Sequence, residues 1–598
     1  MFQTFTAATS PDHGAGRLAA LRAEMAEEGL DAVLVPRADA HQGEYVAPAD
    51  ERLAWLTGFT GSAGFAVATA EEAGIFVDGR YRVQVRSQVD LAAFTPVNWP
   101  ETRTADWVAE RLPRGSTLGF DPWLHTVKEI DELRAALAPH GIRVTDGPNL
   151  VDRVWADRPE PPTGAFTAYP EERAGRSAAD KRAQIARGLR EAGRRATVLT
   201  LPDSIAWLLN IRGVDIARNP VPHAFAILME DGSCQLFARE GKAEGLDLGP
   251  DVALLPEDAL LAAIASLDGP VQIDPASCPV AVRDALEAAE VEIAQAPDPC
   301  LLPKARKTEA ELAGTREAHL RDGAAMVRFL AWLDAEAPKG QLTEIAVVEA
   351  LEGFRRDTNQ LLDISFETIS GAGEHGAIVH YRVTEDTDRP VRAGELLLVD
   401  SGGQYIDGTT DITRTITVGT PPEGAREAYT RVLQGMIAVS RCRFPKGVAG
   451  AHLDVLARTP LWQAGLDYDH GTGHGVGVYL SVHEGPQRIS RTSDIALEPG
   501  MILSNEPGYY REGAWGIRIE NLIVVRQASP LPGQDDRPWQ DFETLTWVPL
   551  DRRLIEAGML TPGERDWINA YHADTLARIG PRVDGAAADW LAAACAPL

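Results

Sequence analysis

The segments LLLVDSGGQYIDGTTDITRT (396–415), HGTGHGVGVYLSVHEGP (470–486), ILSNEPGYY (502–510) and GIRIEN (516–521) decide how this 598-residue chain is read. They carry Asp400, Asp411, His474, Glu506 and Glu520. LLLVD has the pattern of a buried strand, and a carboxylate straight after four apolar residues is costly to desolvate unless it is paired or metal-bound. Asp411 follows the turn signal Asp407-Gly408. In a hairpin the two aspartates would sit roughly 5 Å apart, close enough for two metals about 3.5–4 Å from one another. A tight turn at Asp407-Gly408 would not place them opposite, so the reading requires a longer or bulged turn.

His470 and His474 are four residues apart, as in a zincin helix, but the position where that helix needs Glu is Gly471. Glycines at 471, 473, 475 and 477 disfavour a helix. In an extended segment residues four apart share a face, so both histidines are expected to line one site. Glu506 ends an apolar run and precedes Pro507, which favours extended backbone. In WGIRIE, residues 516, 518 and 520 share a face, so Arg518 is expected to neighbour Glu520 and orient its carboxylate. Four converging carboxylates would repel one another without cations. Oxygen-rich ligation with a single imidazole favours Mn, Co or Zn over thiolate-type sites. Taken singly, His375, His452 and the N-terminal histidines are read as surface or satisfied core groups.

The composition is that of a globular protein, 44% hydrophobic and 24% charged, with a formal net charge of -29. That acidity argues against a nucleic-acid binder, which needs clustered Lys and Arg. Five scattered cysteines without a CxxC pair fit a reducing compartment. No signal peptide and no spanning apolar stretch is recognised, so a cytoplasmic location without membrane contact is expected. Residues 1–16 read as a frayed arm, followed by a helix over 17–29 that stops at Gly29. Strands at 31–36, 64–70 and 74–81 alternate with helices, which suggests an α/β domain. The proline-rich stretch 154–180 reads as a junction. After it the order helix, strand, helix, hairpin restarts, with the hairpin about Asp231-Gly232. Two related α/β domains are expected, although no residue-level repeat is visible. A second junction falls at 296–307, and Thr308-x-x-Glu311 opens a long helix.

At this point the chain resembles a known family. The order Asp400, Asp411, His474, Glu506, Glu520 matches the metal ligands of the pita-bread metallopeptidases, and nearly the whole chain resembles the long, three-domain cytosolic Xaa-Pro aminopeptidases. DSIAWLLNIRG with NPVPHAF, ISFETISGAGEHGAIVHYR, DGTTDITRT, LDYDHGTGHGVGVYLSVHEGP and FETLTWVPLDRRLI carry the likeness. It implies two creatinase-N-like α/β domains (1–157 and 158–303), a pita-bread catalytic domain (304–530) and a C-terminal extension packed on it (531–598). It implies removal of an N-terminal residue from peptides with proline second, through a water activated by two divalent metals, usually Mn, in a homodimer. Asp400 would bind one metal, Asp411 and Glu520 would bridge both, and His474 and Glu506 would complete the second. Glu506 would also shuttle the proton to the leaving proline nitrogen. His380 and His483 would steady the substrate and the oxyanion. His470, with Tyr381 beside it, would help form the proline pocket, and Arg518 would support the ligands.

The sequence departs from the family's usual pattern at Glu374-His375, Asp469 and Trp547. The first two put substrate subsites in question; Trp547 has no functional reading. Two alternatives stay open: a prolidase acting on Xaa-Pro dipeptides, and a non-catalytic pita-bread scaffold.

Overall fold

The computed structural model describes residues 1–598, which divide into two compact units, 8–304 and 305–598 with 1–7. The first unit contains two six-stranded sheets. In the first sheet, β1 (Ala32–Pro36), β2 (Phe65–Thr69), β3 (Ala73–Val77), β4 (Thr95–Asn98), β5 (Thr117–Phe120) and β6 (Arg143–Asp146) lie in the order β4-β3-β2-β1-β5-β6. In the second, β7 (Ala196–Leu199), β8 (Phe225–Met229), β9 (Cys234–Ala238), β10 (Val252–Pro256), β11 (Val271–Ile273) and β12 (Ile293–Gln295) lie in the order β10-β9-β8-β7-β11-β12. The order is the same, and so is the sense of every pairing. β1–β2 and β2–β3 are antiparallel, as are β7–β8 and β8–β9; the remaining neighbours are parallel in both sheets. The hairpin expected at Asp231-Gly232 is β8–β9, with Gly232 at φ 93°.

A residue-level repeat emerges where the two domains meet. Both strands β5 and β11 run into Asp-Pro, at 121–122 and 274–275, and then reach Val127 and Val280, the first residues of equivalent helices. The contacts are reciprocal. Val127 N donates to Cys278 O and Val280 N to His125 O, each at 3.0 Å; Lys128 N donates to Pro275 O and Ala281 N to Pro122 O. Helix N-termini leave backbone donors unsatisfied, and each domain here satisfies the other's.

In the other unit, helix Glu309–Glu336 starts at the expected capping box, with Thr308 and Glu311 bonding reciprocally. It packs with helix Glu344–Arg356 on a sheet of Ile369–Ala372, Glu395–Ser401 and Ile412–Val418. Helices Ala425–Ser440 and Gly450–Trp462 accompany a six-stranded sheet that includes Gly473–Gly475, Ile502–Asn505 and Asn521–Gln527. This is the α+β arrangement expected. The segment from 531 onward is not wholly an addition: Trp539–Thr544 pairs with Asn521–Gln527 as a strand of that sheet.

Residues 1–16 are not a frayed arm. Phe2 N and Gln3 N donate to Glu352, Gln3 exchanges two hydrogen bonds with the backbone of Thr368, and Glu385 N donates to Phe5 O. The helix expected at 17–29 begins earlier, at Gly14, and runs to Glu27. Polar composition concealed these anchors, because their partners lie more than 300 residues away.

Candidate metal centre

Asp400 lies near the end of strand Glu395–Ser401, and Asp411 immediately precedes strand Ile412–Val418. The register places Thr413, not Asp411, opposite Asp400. The intervening residues leave this sheet and form their own small hairpin, Gly403–Tyr405 with Gly408–Thr409. This is the longer turn that the spacing required. Asp411 is therefore set diagonally to Asp400.

His474 sits in the middle of strand Gly473–Gly475, where the register with Glu484–Ile489 shifts. The flanking glycines have a steric reason. A Cβ on Gly473 would lie 1.9 Å from Ser504 O, and one on Gly475 would lie 2.4 Å from Glu484 O. Glu506 follows strand Ile502–Asn505, pinned by Glu506 N donating to Thr472 O. Glu520 falls where the chain passes from Trp515–Arg518 in one sheet to Asn521–Gln527 in another, with its N–H donating to Thr413 O.

The five residues converge. Asp400, Asp411 and Glu520 offer oxygens within 4.8 Å of one another; so do His474, Glu506 and Glu520; and Asp411, His474 and His483 form a third such group. His474 Nδ1 lies 3.0 Å from Gly475 O, which can only accept, so a neutral ring carries its proton there. Its Nε2 lone pair then faces Asp411 at 3.5 Å and Glu506 at 3.4 Å. A lone pair turned toward two carboxylates is repulsive unless a cation lies between them. Asp400 Oδ1 and Glu520 Oε1 are buried without a hydrogen-bond partner. Orphaned buried carboxylate oxygens are costly, and here they point to the same need. The donor set fits two divalent cations.

Burial and mutual repulsion dominate the electrostatics. Burial, then Asp400, pushes the Asp411 carboxyl well above its ordinary range, and burial, then Asp411 and Asp400, does the same to Glu520. Burial, then Glu520, moves Glu506 up to about 8. A carboxyl whose pKa rises on folding holds its proton more tightly in the folded chain. Its contribution is greatest below the unfolded value and is lost as pH rises through the folded value. Metal-stripped protein should therefore lose thermal stability between about pH 4.5 and 8, the window set by Glu506. Melting curves recorded with a chelator across that range check this, and a Tm that rises with pH would contradict it.

Arg518 was expected to orient Glu520 directly. Instead its Nη2 donates to Asp400 Oδ2 at 2.6 Å, and it reaches Glu520 only through a bridge. Arg518 Nε donates to Thr413 Oγ1, whose hydroxyl donates to Glu520 Oε2 at 2.8 Å. Arg518 and Glu520 do not continue one strand, because the chain changes sheets between them. Arg518 Nη1 also donates to Tyr510 Oη at 2.6 Å, and Tyr510 donates onward to His470 Nε2 at 2.8 Å. Burial pushes the Tyr510 phenol up to about 12, so it keeps that proton. His470 Nδ1 bonds Gly471 O, which completes the fixing of the ring. His470 thus lies beside the ligands' supporting network, while His474 lies among the ligands. Tyr510 was missed in the sequence. Its only signal is the hairpin register that sets it across from Gly516.

His380 is half-buried on the loop after the short helix Gly373–Ala377. That short helix lies against the strand bearing Arg518: a Cβ on Gly516 would meet Gly376 O at 1.7 Å. Tyr381, expected in the substrate pocket, is buried at 5% exposure and supports the loop instead. Its hydroxyl donates to Glu344 Oε2 at 2.9 Å, and His375 Nδ1 lies 3.0 Å from the same carboxylate. The departure at His375 is therefore a structural bond to Glu344. Glu374 and Asp469 are exposed. His483 packs edge-on against His474, with ring centroids 4.2 Å apart.

With this geometry in place, comparison with known proteins is direct. Residues 313–527 match metallopeptidase family M24, residues 538–598 match the C-terminal region of peptidase M24, and residues 17–154 and 157–311 each match the creatinase/prolidase N-terminal domain. Aminopeptidase P1 of Arabidopsis thaliana is 38% identical over 97% of this chain and 99% of its own. The chain belongs to the aminopeptidase P family. A probable Xaa-Pro aminopeptidase P of Coccidioides posadasii (strain C735) is 40% identical over 95% of this chain and 91% of its own. The crystal structure of X-prolyl aminopeptidase from Caenorhabditis elegans, described as a cytosolic enzyme with a di-nuclear active site, superposes with a TM-score of 0.93. It is 33% identical and covers 98% of this chain and 99% of its own. No helix of this family member is long and apolar enough to cross a membrane.

Proposed function

We propose that this aminopeptidase P family protein is a metal-dependent exopeptidase that hydrolyses the bond between an N-terminal residue and a following proline. The observation that carries the reading is the convergence of Asp400, Asp411, His474, Glu506 and Glu520, with two buried carboxylate oxygens left without partners. Two divalent ions held there would polarise the scissile carbonyl and lower the pKa of water to make a nucleophile at neutral pH. Manganese is the proposed metal, with cobalt and zinc as the alternatives that such a donor set accepts. A cytoplasmic location is proposed from the likeness to the cytosolic Caenorhabditis elegans enzyme, and a homodimer from the family resemblance of the sequence.

The chain's own residues supply the rest. Glu506 is proposed to take a proton from the attacking water and deliver it to the proline nitrogen. A single carboxylate can act as base in the first step and as acid in the second. His380 and His483 are proposed to hold the substrate and the developing oxyanion. An Xaa-Pro bond has no N–H, so the pocket selects by shape. His470 is proposed to form one wall, its ring fixed by Tyr510 on one side and Gly471 O on the other.

Hydrolysis of Arg-Pro-Pro, Arg-Ala-Ala and Arg-Pro by metal-stripped protein, before and after adding manganese, tests the reading. Manganese-dependent release of Arg from Arg-Pro-Pro, with none from Arg-Ala-Ala, is the expected result. Cleavage of Arg-Pro alone would make the protein a prolidase. No cleavage by folded, manganese-loaded protein would favour the scaffold reading.

A further inference from the structure

Behind the metal centre lies a second buried assembly. Tyr571, on helix Pro562–Ile579 of the C-terminal region, stacks between two indoles. Trp567 lies 5.3 Å away at an interplanar angle of 6°, and Trp547 lies 5.5 Å away at 20°. Trp547, unexplained by the sequence, is one half of this sandwich. The stack fixes where the Tyr571 hydroxyl sits. That hydroxyl accepts from Val548 N at 3.1 Å and from Arg414 Nη2 at 3.0 Å, and its proton faces Val548 O at 2.8 Å.

Arg414 is 1% exposed, and none of its N–H groups meets a carboxylate. Burying a guanidinium is expensive unless every donor is matched. Here they go to backbone carbonyls, one amide oxygen and Tyr571. Two of those carbonyls are telling. Arg414 Nη1 donates to Glu520 O at 2.7 Å and to Thr413 O at 2.9 Å. Thr413 O also accepts from Glu520 N, and the Thr413 hydroxyl holds Glu520 Oε2. Arg414 Nη2 further bonds Asn521 Oδ1 at 2.8 Å. The backbone on which Glu520 is mounted is therefore gripped from behind by one guanidinium, and that guanidinium is held by the tyrosine of a distant helix.

We propose that Tyr571, clamped between Trp547 and Trp567, is a positioning residue for Glu520, and that the C-terminal region acts as a clasp setting the metal affinity of the centre. This rests on the reading that Glu520 is a metal ligand. Residues that orient a ligand without touching the metal typically contribute 10–100-fold to affinity.

The test is a manganese titration of metal-stripped full-length protein against a competing chelator, with melting temperatures recorded with and without metal. Tyr571→Phe keeps the stack and removes the hydroxyl. It is expected to weaken manganese binding by about 10-fold or more, to shrink the rise in Tm that metal produces, and to recover kcat at saturating manganese. A purely structural role would lower both melting temperatures equally and leave the affinity at the wild-type value; that result overturns the proposal. Should Tyr571→Phe not fold, Trp567→Leu keeps the hydroxyl while releasing one face of the ring. It is expected to weaken binding in the same direction, and unchanged affinity in it overturns the proposal equally. Glu520→Ala is the control. If it binds manganese as tightly as wild type, Glu520 is no ligand, and the underlying reading of the centre fails together with the clasp.

Discussion

Glu520→Ala should lower manganese-dependent hydrolysis of Arg-Pro-Pro by roughly a thousandfold or more, because metal participation supplies several kcal/mol to such reactions. Glu520 lies within ligand-sharing distance of Asp400 and Asp411 in one group and of His474 and Glu506 in another. Its loss therefore strikes both halves of the centre. The expected loss is not a folding defect, and the electrostatics provide the control. Burial and the neighbouring aspartates push the Glu520 carboxyl well above its ordinary range, so holding it among the other carboxyls without metal costs the stripped protein stability as pH rises. Removing it relieves that repulsion at the expense of one hydrogen bond from Thr413. Stripped Glu520→Ala should thus melt no lower than stripped wild type at pH 8, while failing to gain the stability that wild type gains on adding manganese. Full activity in this variant would refute the ligand assignment. A collapse of the stripped variant would refute the electrostatic account.

The same residues show how far sequence reaches. Asp400, Asp411, His474, Glu506 and Glu520 were legible as a set: Asp400 ends an apolar run, where an unpaired charge is costly, and the order and types of all five, with the glycines around His474, agree with the ligand pattern of a known family. The turn between Asp400 and Asp411 was legible only as a constraint. Spacing ruled out a tight hairpin, while the excursion of residues 403–409 into a separate small sheet depends on partners elsewhere in the chain. Arg518 was placed near the site correctly and given the wrong carboxylate, because alternation along a strand says nothing about where the strand ends. Tyr381 was misplaced for a related reason. Its hydroxyl is claimed by Glu344, a residue 37 positions away at the start of a helix. Tyr571 and Arg414 lie 157 positions apart and gave no joint signal. The repeat of the first two domains was visible as an order of elements. Its residue-level mark is a pair of Asp-Pro sequences whose role is to dock one domain on the other.

His483→Ala should lower kcat by about 10²- to 10³-fold, the usual loss when one donor to a developing oxyanion is removed, while leaving manganese affinity within a few-fold of wild type. The prediction discriminates because the geometry offers His483 two roles. It lies within ligand distance of Asp411 and His474, and a histidine there could complete a metal's coordination. Its ring meets that of His474 at a steep angle, with centroids 4.2 Å apart. The carboxylates already provide the charge that two dications require. Each of Asp400, Asp411, Glu506 and Glu520 brings one negative charge, and one histidine nitrogen completes an oxygen-rich set. A sixth ligand that is a neutral imidazole would add no charge. An affinity loss of 10-fold or more in His483→Ala would move this residue into the ligand set; a retained affinity with depressed kcat keeps it with the substrate.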